Sequence, residues 1–309
     1  MELHQAWRAK YRLDRYLRSA TIADIEQRSQ DIAGNLLDVD GFGRLTCGPI
    51  NDRNVRWWTL WTHLLEELAL RNTPYGSVQL ARPDQFPWIS APEPPSGLRI
   101  LKGHRLPQQN YLARVGQKAH LVEAFERGRI RIAPAASYDD PSLNPAMQDD
   151  ELAVFAKHSG DSAVIRKYDP VTGTVGDPIE VIGDISYGKR AASNYYVLCL
   201  SSRYEPRLLD DFGADALLII HNVDRFLIRL ERAVKQVRPD LQMCGDGITY
   251  FDPYRTHPDE LNPHFFKHFR YGYQLEYRLV WLGSVPIDAS PFFVEIGTLR
   301  DIATLRVLN

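Results

Sequence analysis

Four short stretches carry polar side chains beside apolar, strand-like segments, where a sheet scaffold holds site residues rigidly. Their members are Lys102, His104 and Arg105; Tyr138, Asp139 and Asp140; Ser201, Ser202 and Arg203; and Gln274, Glu276 and Arg278. The set combines fixed cations, hydroxyls and carboxylates. An arginine can bind a diphosphate with two hydrogen bonds, and a carboxylate stabilises a reacting centre that develops positive charge. Such a set suits an anionic substrate whose reacting centre develops positive charge.

The last stretch, "YGYQLEYRLVW" at 271–281, alternates like a strand and places Gln274, Glu276 and Arg278 on one face. Two interpretations are open: the solvated face of an edge strand, or the lining of a pocket. Each of the other stretches also fits an ordinary turn or strand end when taken alone. Taken together they favour a shared cleft, with Glu276 as its most important residue and Arg278 orienting Glu276 through an ion pair.

Length and composition limit the class of protein. The 309 residues can bury a large core, and a net charge of -2 gives no general reason to expect nucleic acid or a membrane as partner. The three cysteines form no CxxC pair, and the nine histidines show no close metal-binding spacing, so we expect no metal. Without an apolar run of membrane-spanning length or a signal peptide, a cytoplasmic location is the default expectation.

The chain is predicted to have three parts. Residues 1–80 read as a helical region, which includes the amphipathic "NVRWWTLWTHLLEELAL"; residues 81–97 are a proline-rich, extended connector; and residues 98–309 form an α+β domain. This domain is predicted to have a mixed or antiparallel sheet core with flanking helices.

Individual elements follow from local patterns. "GLRILKGHRL" predicts a strand ending near Lys102, "AHLVEAFERG" and "MQDDELAVFAKHSG" predict helices, and "VDRFLIRLERAVKQV" predicts a helix capped by Asn222. A hairpin is predicted around the turn at Asp169, Pro170 and Gly173.

Several of these stretches resemble the motifs of a large bacterial domain family of unknown function. "SYDDP" resembles its F-N-D-P loop, "VLCLSS" resembles its C-F-S strand, and 271–278 resembles its W-x-Y-E-x-E-Y-R signature, with Gln274 in place of the first glutamate. Lys267 stands where a lysine often precedes that signature. The resemblance spans roughly residues 98–282 and excludes the helical N-terminal region.

A weaker resemblance links the chain to ADP-ribosyltransferases of the Arg-Ser-Glu class. Arg105, Ser201-Ser202 and Gln274-Leu275-Glu276 occur in the order of that class's motifs. The resemblance implies that Arg105, Ser201 and Ser202 bind NAD and that Glu276 drives transfer. It also implies that Gln274 contacts the acceptor. Tyr138 and Asp140 are expected at the rim of the same site, and Lys267 and Arg278 are expected to orient it.

Three functions compete on this basis. The first is an NAD-using ADP-ribosyltransferase or NAD glycohydrolase, acting as a toxin or phage-defence effector on a protein or nucleic acid. The second is a metal-dependent nuclease using Asp139, Asp140, Glu276 and Lys267, although Lys267 lies well before Glu276 in sequence. The third is a non-catalytic sensor. In each case, the aromatic N-terminal helices are the expected surface for an antitoxin or another partner protein.

Overall fold

The computed structural model describes residues 2–36, 38–39, 45–47, 49–81, 95–108, 110–160, 164–284, 287 and 289–308. It confirms an α+β fold with an antiparallel sheet core and a helical N-terminal region. Most of the predicted connector, residues 82–94, lies outside the described residues.

The described chain contains seven α-helices and sixteen strands. The helices are α1 (Leu3–Leu13), α2 (Ile22–Leu36), α3 (Val55–Leu70), α4 (Ser96–Ile100), α5 (Lys118–Arg127), α6 (Arg207–Asp211) and α7 (Val223–Val237). The strands are β1 (Asp38–Val39), β2 (Leu45–Thr46), β3 (Leu112–Gly116), β4 (Arg129–Pro134), β5 (Ala153–Ser159), β6 (Ile165–Tyr168), β7 (Val175–Ile179), β8 (Asp184–Arg190), β9 (Tyr196–Ser201), β10 (Ala216–Ile220), β11 (Leu241–Gly247), β12 (Thr249–Phe251), β13 (Phe266–His268), β14 (Glu276–Gly283), β15 (Phe292–Glu295) and β16 (Ala303–Val307).

Eight strands form the main sheet, in the order β11-β14-β9-β3-β10-β16, with β4 joined to β9 and β15 joined to β4. Every pairing in this sheet is antiparallel. Directly opposed residues of an antiparallel pair share a face. The apolar face of β9 and β14, with Leu198, Leu279 and Trp281, joins the main hydrophobic cluster. The opposite face therefore receives Glu276 and Arg278.

Local signals explain the confirmed elements. Gly128 ends α5 with a positive φ of 72°, which glycine adopts without steric cost. The side chain of Asn222 accepts a hydrogen bond from the backbone N–H of Arg225 and so caps α7. Strands β6 and β7 form the hairpin predicted around Asp169, whose carboxylate accepts hydrogen bonds from the turn's N–H groups.

Three local predictions are wrong. Residues 96–100 are the short helix α4 rather than a connector end and strand, because Pro95 precedes a turn of helix that packs on α6. The stretch predicted as a helix at 147–160 contains strand β5, which pairs with β8. Residues 269–274 form a 3₁₀-helix, and β14 begins only at Glu276.

The start of β14 has a specific backbone cause. Leu275 adopts a left-handed φ of 46°, which turns the chain between the 3₁₀-helix and the strand. Gln274 and Glu276 therefore do not lie on the same face of one strand, contrary to the sequence-based expectation.

The N-terminal helices share a hydrophobic core with the α+β region. Tyr254 and Phe269 belong to the same buried cluster as Leu17, Ile32 and Leu64. The boundary predicted near residue 80 therefore separates two stretches of sequence, but the residues on its two sides pack into one core.

A buried ion pair joins the same two regions. Arg28 of α2 contacts the two carboxylate oxygens of Asp252 at 2.9 and 2.6 Å, and both side chains are about 95% buried, with 4% and 5% exposed. The guanidinium also lies over the rings of Tyr16, Tyr254 and Phe269. This contact sets the position of α2 against the segment that follows β12.

Arginines of the first helical region form ion pairs with buried glutamates of α3. Arg12 pairs with Glu66 at 2.6 Å, and Arg15 pairs with the fully buried Glu67 at 2.9 Å. Arg71 completes the Glu67 site at 2.7 Å. These ion pairs connect α1 and the loop after it to α3.

Within the described residues, no helix has both the length and the apolar character needed to cross a bilayer.

We expect Asp252→Asn to lower the free energy of unfolding by about 3 kcal/mol, because Arg28 would remain buried without its counter-charge. Urea unfolding measures this. Glu126→Gln is the matched control, since Glu126 pairs with Arg300 at the surface and its loss should cost at most about 0.5 kcal/mol. Equal effects of the two substitutions would contradict the interpretation.

Candidate functional site

A buried network of charged side chains lies on the polar face of β14 and β9. In the register of these strands, Glu276 stands directly opposite Ser201, and Arg278 stands opposite Cys199. The Nε of Arg278 donates to Glu276 at 2.7 Å, and its terminal nitrogen lies 2.6 Å from Glu151. Arg278 is fully buried. The strand positions thus bring Glu276 and Ser201 to one face.

Lys267 reaches this network from β13. Its Nζ lies 3.2 Å from Glu276, 3.2 Å from Glu151 and 3.8 Å from Asp149. The chain turns back between β13 and β14 through the 3₁₀-helix, so a lysine nine positions before Glu276 becomes its direct neighbour. The sequence separation of Lys267 and Glu276 is therefore no measure of their distance.

The charges of this network nearly balance. Two cations, Lys267 and Arg278, face two fully enclosed carboxylates, Glu151 and Glu276. Burial by itself would raise the pKa of Glu276, but Arg278 and Lys267 lower it to about 2. Burial would lower the pKa of Lys267, yet Glu151 and Glu276 raise it well above its ordinary value. Glu276 and Lys267 thus hold each other in their charged forms.

Asp149 is the additional carboxylate beside this balanced set. Its side chain is 20% exposed, and burial together with Glu151 raises its pKa to about 6, although Lys267 opposes the shift. A carboxyl group with a pKa near neutrality, placed beside a cavity, is a typical candidate for acid–base chemistry.

A polar cavity of about 1190 Å³ opens on the side of Asp149. Its walls come from α2, the start of α4, the loop at 139–150, α6 and the 3₁₀-helix before β14. The lining includes six aspartates, three arginines and two tyrosines, which are Asp31, Asp139, Asp149, Asp150, Asp210, Asp211, Arg99, Arg207, Arg270, Tyr271 and Tyr273. The N-terminal helical region thus contributes directly to the cavity.

The loop that carries Asp149 is held in place by side chains of residues 271–274. The Nε2 of Gln274 donates to the carbonyl of Ala146 at 2.7 Å, and the hydroxyl of Tyr271 donates to the carbonyl of Gln148 at 2.7 Å. The Asp149 N–H donates to the carbonyl of Tyr138 at 3.0 Å. Gln274 is therefore engaged in holding this loop.

The serines lie apart from the main cavity. Ser201 shares the strand face of Glu276, but Ser202 lines a different cavity of about 440 Å³ together with His221 and Asp224. Both the N–H and the hydroxyl of Ser202 donate to the carbonyl of Leu275, at 2.8 and 2.9 Å. Ser202 thereby fixes the left-handed turn before β14.

Arg105 is not brought to the charged network. It is exposed after α4, next to His104, which accepts a hydrogen bond from Arg306 of β16. Strands β14 and β16 are four steps apart in the sheet, which corresponds to roughly 19 Å. The predicted convergence of Arg105 with Glu276 is therefore not found.

The aspartates and tyrosine of the "YDDP" stretch have separate positions. Tyr138 packs against Tyr195, Val197 and Val280, and burial raises the pKa of its hydroxyl. Asp140 is exposed and accepts a hydrogen bond from the Ser142 N–H at 2.8 Å, as expected for an ordinary turn. Of this stretch, Asp139 is the residue that lines the main cavity.

In the described part of the chain, no group of three or more histidine, cysteine, aspartate or glutamate side chains is placed to hold a metal ion. The carboxylates Asp139, Asp140 and Glu276 of the nuclease hypothesis do not form such a group.

Sequence reasoning missed two members of the site, Glu151 and Asp149. Both lie in "MQDDELAVF", which was predicted as a helix. The available signal was the acidic run immediately before an apolar, alternating stretch, which resembles the other polar strand ends. Strand β5 follows it directly.

Comparison of the chain with protein-family models, with curated proteins and with solved structures finds no match. The resemblances of the "SYDDP", "VLCLSS" and 271–278 stretches therefore stay predictions.

We expect Glu276→Gln to lower the free energy of unfolding by about 3 kcal/mol or more, since Lys267 and Arg278 would lose a buried counter-charge. Chemical denaturation at pH 7 measures the loss. Glu295→Gln is the control because Glu295 is exposed on β15, and it should change stability by less than about 0.5 kcal/mol.

The same carboxylate predicts a pH dependence. The folded-state pKa of Glu276 lies near 2, below the ordinary 4.5, so its stabilisation is complete above pH 4.5 and is lost as the pH falls toward 2. The Gln variant should lose less stability than the wild type over this interval. Parallel acid-unfolding curves for the two proteins would contradict the assignment.

Proposed function

We propose that the protein cleaves the nicotinamide–ribose bond of NAD and releases or transfers ADP-ribose, with Asp149 as the carboxylate that acts on the substrate. The observation that carries this proposal is the position of Asp149. Its carboxyl group has a pKa of about 6, lines the 1190 Å³ cavity and contacts the buried network through Lys267 at 3.8 Å.

The size of the cavity supports a dinucleotide as substrate. Ligand pockets commonly have volumes of roughly 300–1,000 Å³, and this cavity lies slightly above that range. The guanidinium of Arg207 lies over the ring of Tyr273 at 3.7 Å, and the guanidinium of Arg270 lies over the ring of Tyr271 at 4.5 Å. Arginines beside aromatic rings suit the phosphates and bases of a nucleotide.

The excess of carboxylates over arginines favours the nicotinamide end of the substrate. The nicotinamide ring of NAD is cationic, and positive charge moves to the ribose as the C1′–N bond breaks and neutral nicotinamide leaves. Carboxylates placed beside the ribose stabilise that charge in the transition state. Asp139, Asp149 and Asp150, from one loop, supply such a negative wall.

The buried network takes a supporting role in this proposal. Glu276 is 5% exposed and is neutralised by Lys267 and Arg278, so it is placed behind Asp149 and does not line the cavity. Its function is to hold Lys267 beside Asp149. Asp149, rather than the sequence-predicted Glu276, is therefore the carboxylate that faces the substrate in this proposal.

We expect Asp149→Asn to reduce nicotinamide release from NAD about 100-fold or more, because the amide keeps the volume and removes the charge. In the wild type, activity should rise with pH through about 6, as Asp149 ionises. Purified protein is incubated with NAD labelled in the adenine ring, with and without a cell lysate, and the nicotinamide and the labelled products are quantified.

Asp259→Asn is the matched control, because the side chain of Asp259 is 92% exposed and is not among the residues that line the cavity. It should keep wild-type turnover. Wild-type protein that leaves NAD intact with and without lysate would contradict the proposed reaction. Equal turnover by the wild type and Asp149→Asn would contradict the role of Asp149.

The same substitution separates a catalytic role from a structural one. Because the folded-state pKa of Asp149 is raised above its ordinary 3.8, its contribution to stability is present below pH 3.8 and is lost as the pH rises through about 6. Asp149→Asn should therefore unfold at the same or a higher temperature than the wild type at pH 8. A variant that is both inactive and strongly destabilised would indicate a structural role.

A further inference from the structure

A second concave surface lies at the opposite edge of the main sheet from β11. It is a groove of about 630 Å³ between β16 and the segment that follows α4. Its cationic side chains are Arg99, Lys102 and Arg306, with His104 beside them, and none of the described residues that line it carries a carboxylate side chain. Acidic and basic residues are nearly balanced in the whole chain, 39 against 37, so this groove is a local concentration of positive charge.

The floor of the groove is a strand with one open edge. Within the described residues, β16 pairs with β10 alone and ends the strand order. The N–H of Leu308 donates to the carbonyl of Asp215, and the N–H of His221 donates to the carbonyl of Ile302. Hydrogen-bonded positions alternate along an antiparallel strand, so the even-numbered residues of β16 face β10.

Leu305 and Val307 therefore direct their backbone N–H and C=O groups away from β10, whereas the N–H of Ala303 already donates to the carbonyl of Leu299 at 2.8 Å. Such an edge offers a ladder of hydrogen bonds to an added strand. Leu305 and Val307 are half-buried and line the groove. The unpaired backbone groups of β16 and the cationic side chains therefore lie in the same groove.

We propose that this groove binds an extended acidic peptide segment, which adds to the sheet as a strand beside β16. The backbone of the segment would bond to Leu305 and Val307, while its carboxylates would lie against Lys102, His104 and Arg306. The basic side chains favour a partner with acidic residues, and the unpaired backbone groups of β16 favour an extended peptide over a nucleic acid.

The same charges argue against a second copy of this chain as the occupant. Antiparallel self-pairing of two β16 strands would bring the basic grooves of both copies together. Like charges placed opposite each other across a strand pair are destabilising. The basic residues thus protect the edge from self-association and leave it open to an acidic segment.

The test uses the full chain and a fluorescent peptide of alternating valine and glutamate, eight residues long. Fluorescence anisotropy should show binding that weakens as salt is raised. A peptide with lysine in place of glutamate should not bind. The glutamate peptide with N-methylated backbone nitrogens on the edge that pairs with β16 should bind at least about tenfold more weakly, because it keeps the charge and loses the ladder.

The variant Lys102→Glu is the matched test on the protein side, since Lys102 is exposed in a turn and its reversal should leave folding intact. We expect about a tenfold loss of affinity for the glutamate peptide. Lys189→Glu, an exposed lysine of β8, is the control and should bind as the wild type does.

Hydrogen exchange supplies the decisive measurement. On addition of the peptide, the amides of Leu305 and Val307 should become protected, whereas those of Arg306 and Leu308 are already bonded to β10 and should change little. Binding without this pattern, or tighter binding of a single-stranded thymidine oligonucleotide than of the peptide, would overturn the proposal. Absence of peptide binding at low salt, or a peptide-independent dimer in size-exclusion chromatography, would also overturn it.

Discussion

The site depends on one physical constraint, which is that Arg278 is fully buried and must be neutralised there. An unpaired buried cation is too costly to persist, so Glu276 and Glu151 have to approach it from two different parts of the chain. Each of these carboxylates also meets Lys267. The need to balance charge without water therefore joins β14, β13 and the segment before β5 at one point of the sheet.

This balance explains why Asp149 differs chemically from its neighbours. Two cations are already matched by Glu151 and Glu276, so an additional negative charge next to them is disfavoured. Burial is the main cause that raises the pKa of Asp149, and the negative charge of Glu151 adds to it, although Lys267 lowers it. Burial beside this ion network thus produces a carboxyl group that changes its protonation near neutral pH. It does so at the wall of a cavity large enough for a nucleotide.

The cavity itself depends on the packing of the helical region against the α+β region. Arg28 and Asp252 join the two parts through a buried pair, and the surrounding aromatic rings exclude water from it. Helix α2 supplies one wall of the cavity, and Arg28 anchors the same helix to the α+β region. The two buried ion clusters have different roles. The Arg28–Asp252 pair positions α2, and the network around Arg278 affects the charge of Asp149.

The sequence by itself determined the α+β class, the helical N-terminal region, helix α5, the capped helix α7 and the hairpin of β6 and β7. Periodicity, turn residues and helix caps act within a few residues, so local patterns contain this information. It also singled out Glu276 and Arg278 as a pair on one strand face, because alternation along a strand is local. The tertiary structure alone decided that Lys267, Glu151 and Asp149 join them, that Arg105 lies across the sheet, and that Gln274 holds a loop. These outcomes depend on strand order, on the left-handed turn at Leu275 and on the balance of buried charge. None of them is expressed in the spacing of neighbouring residues.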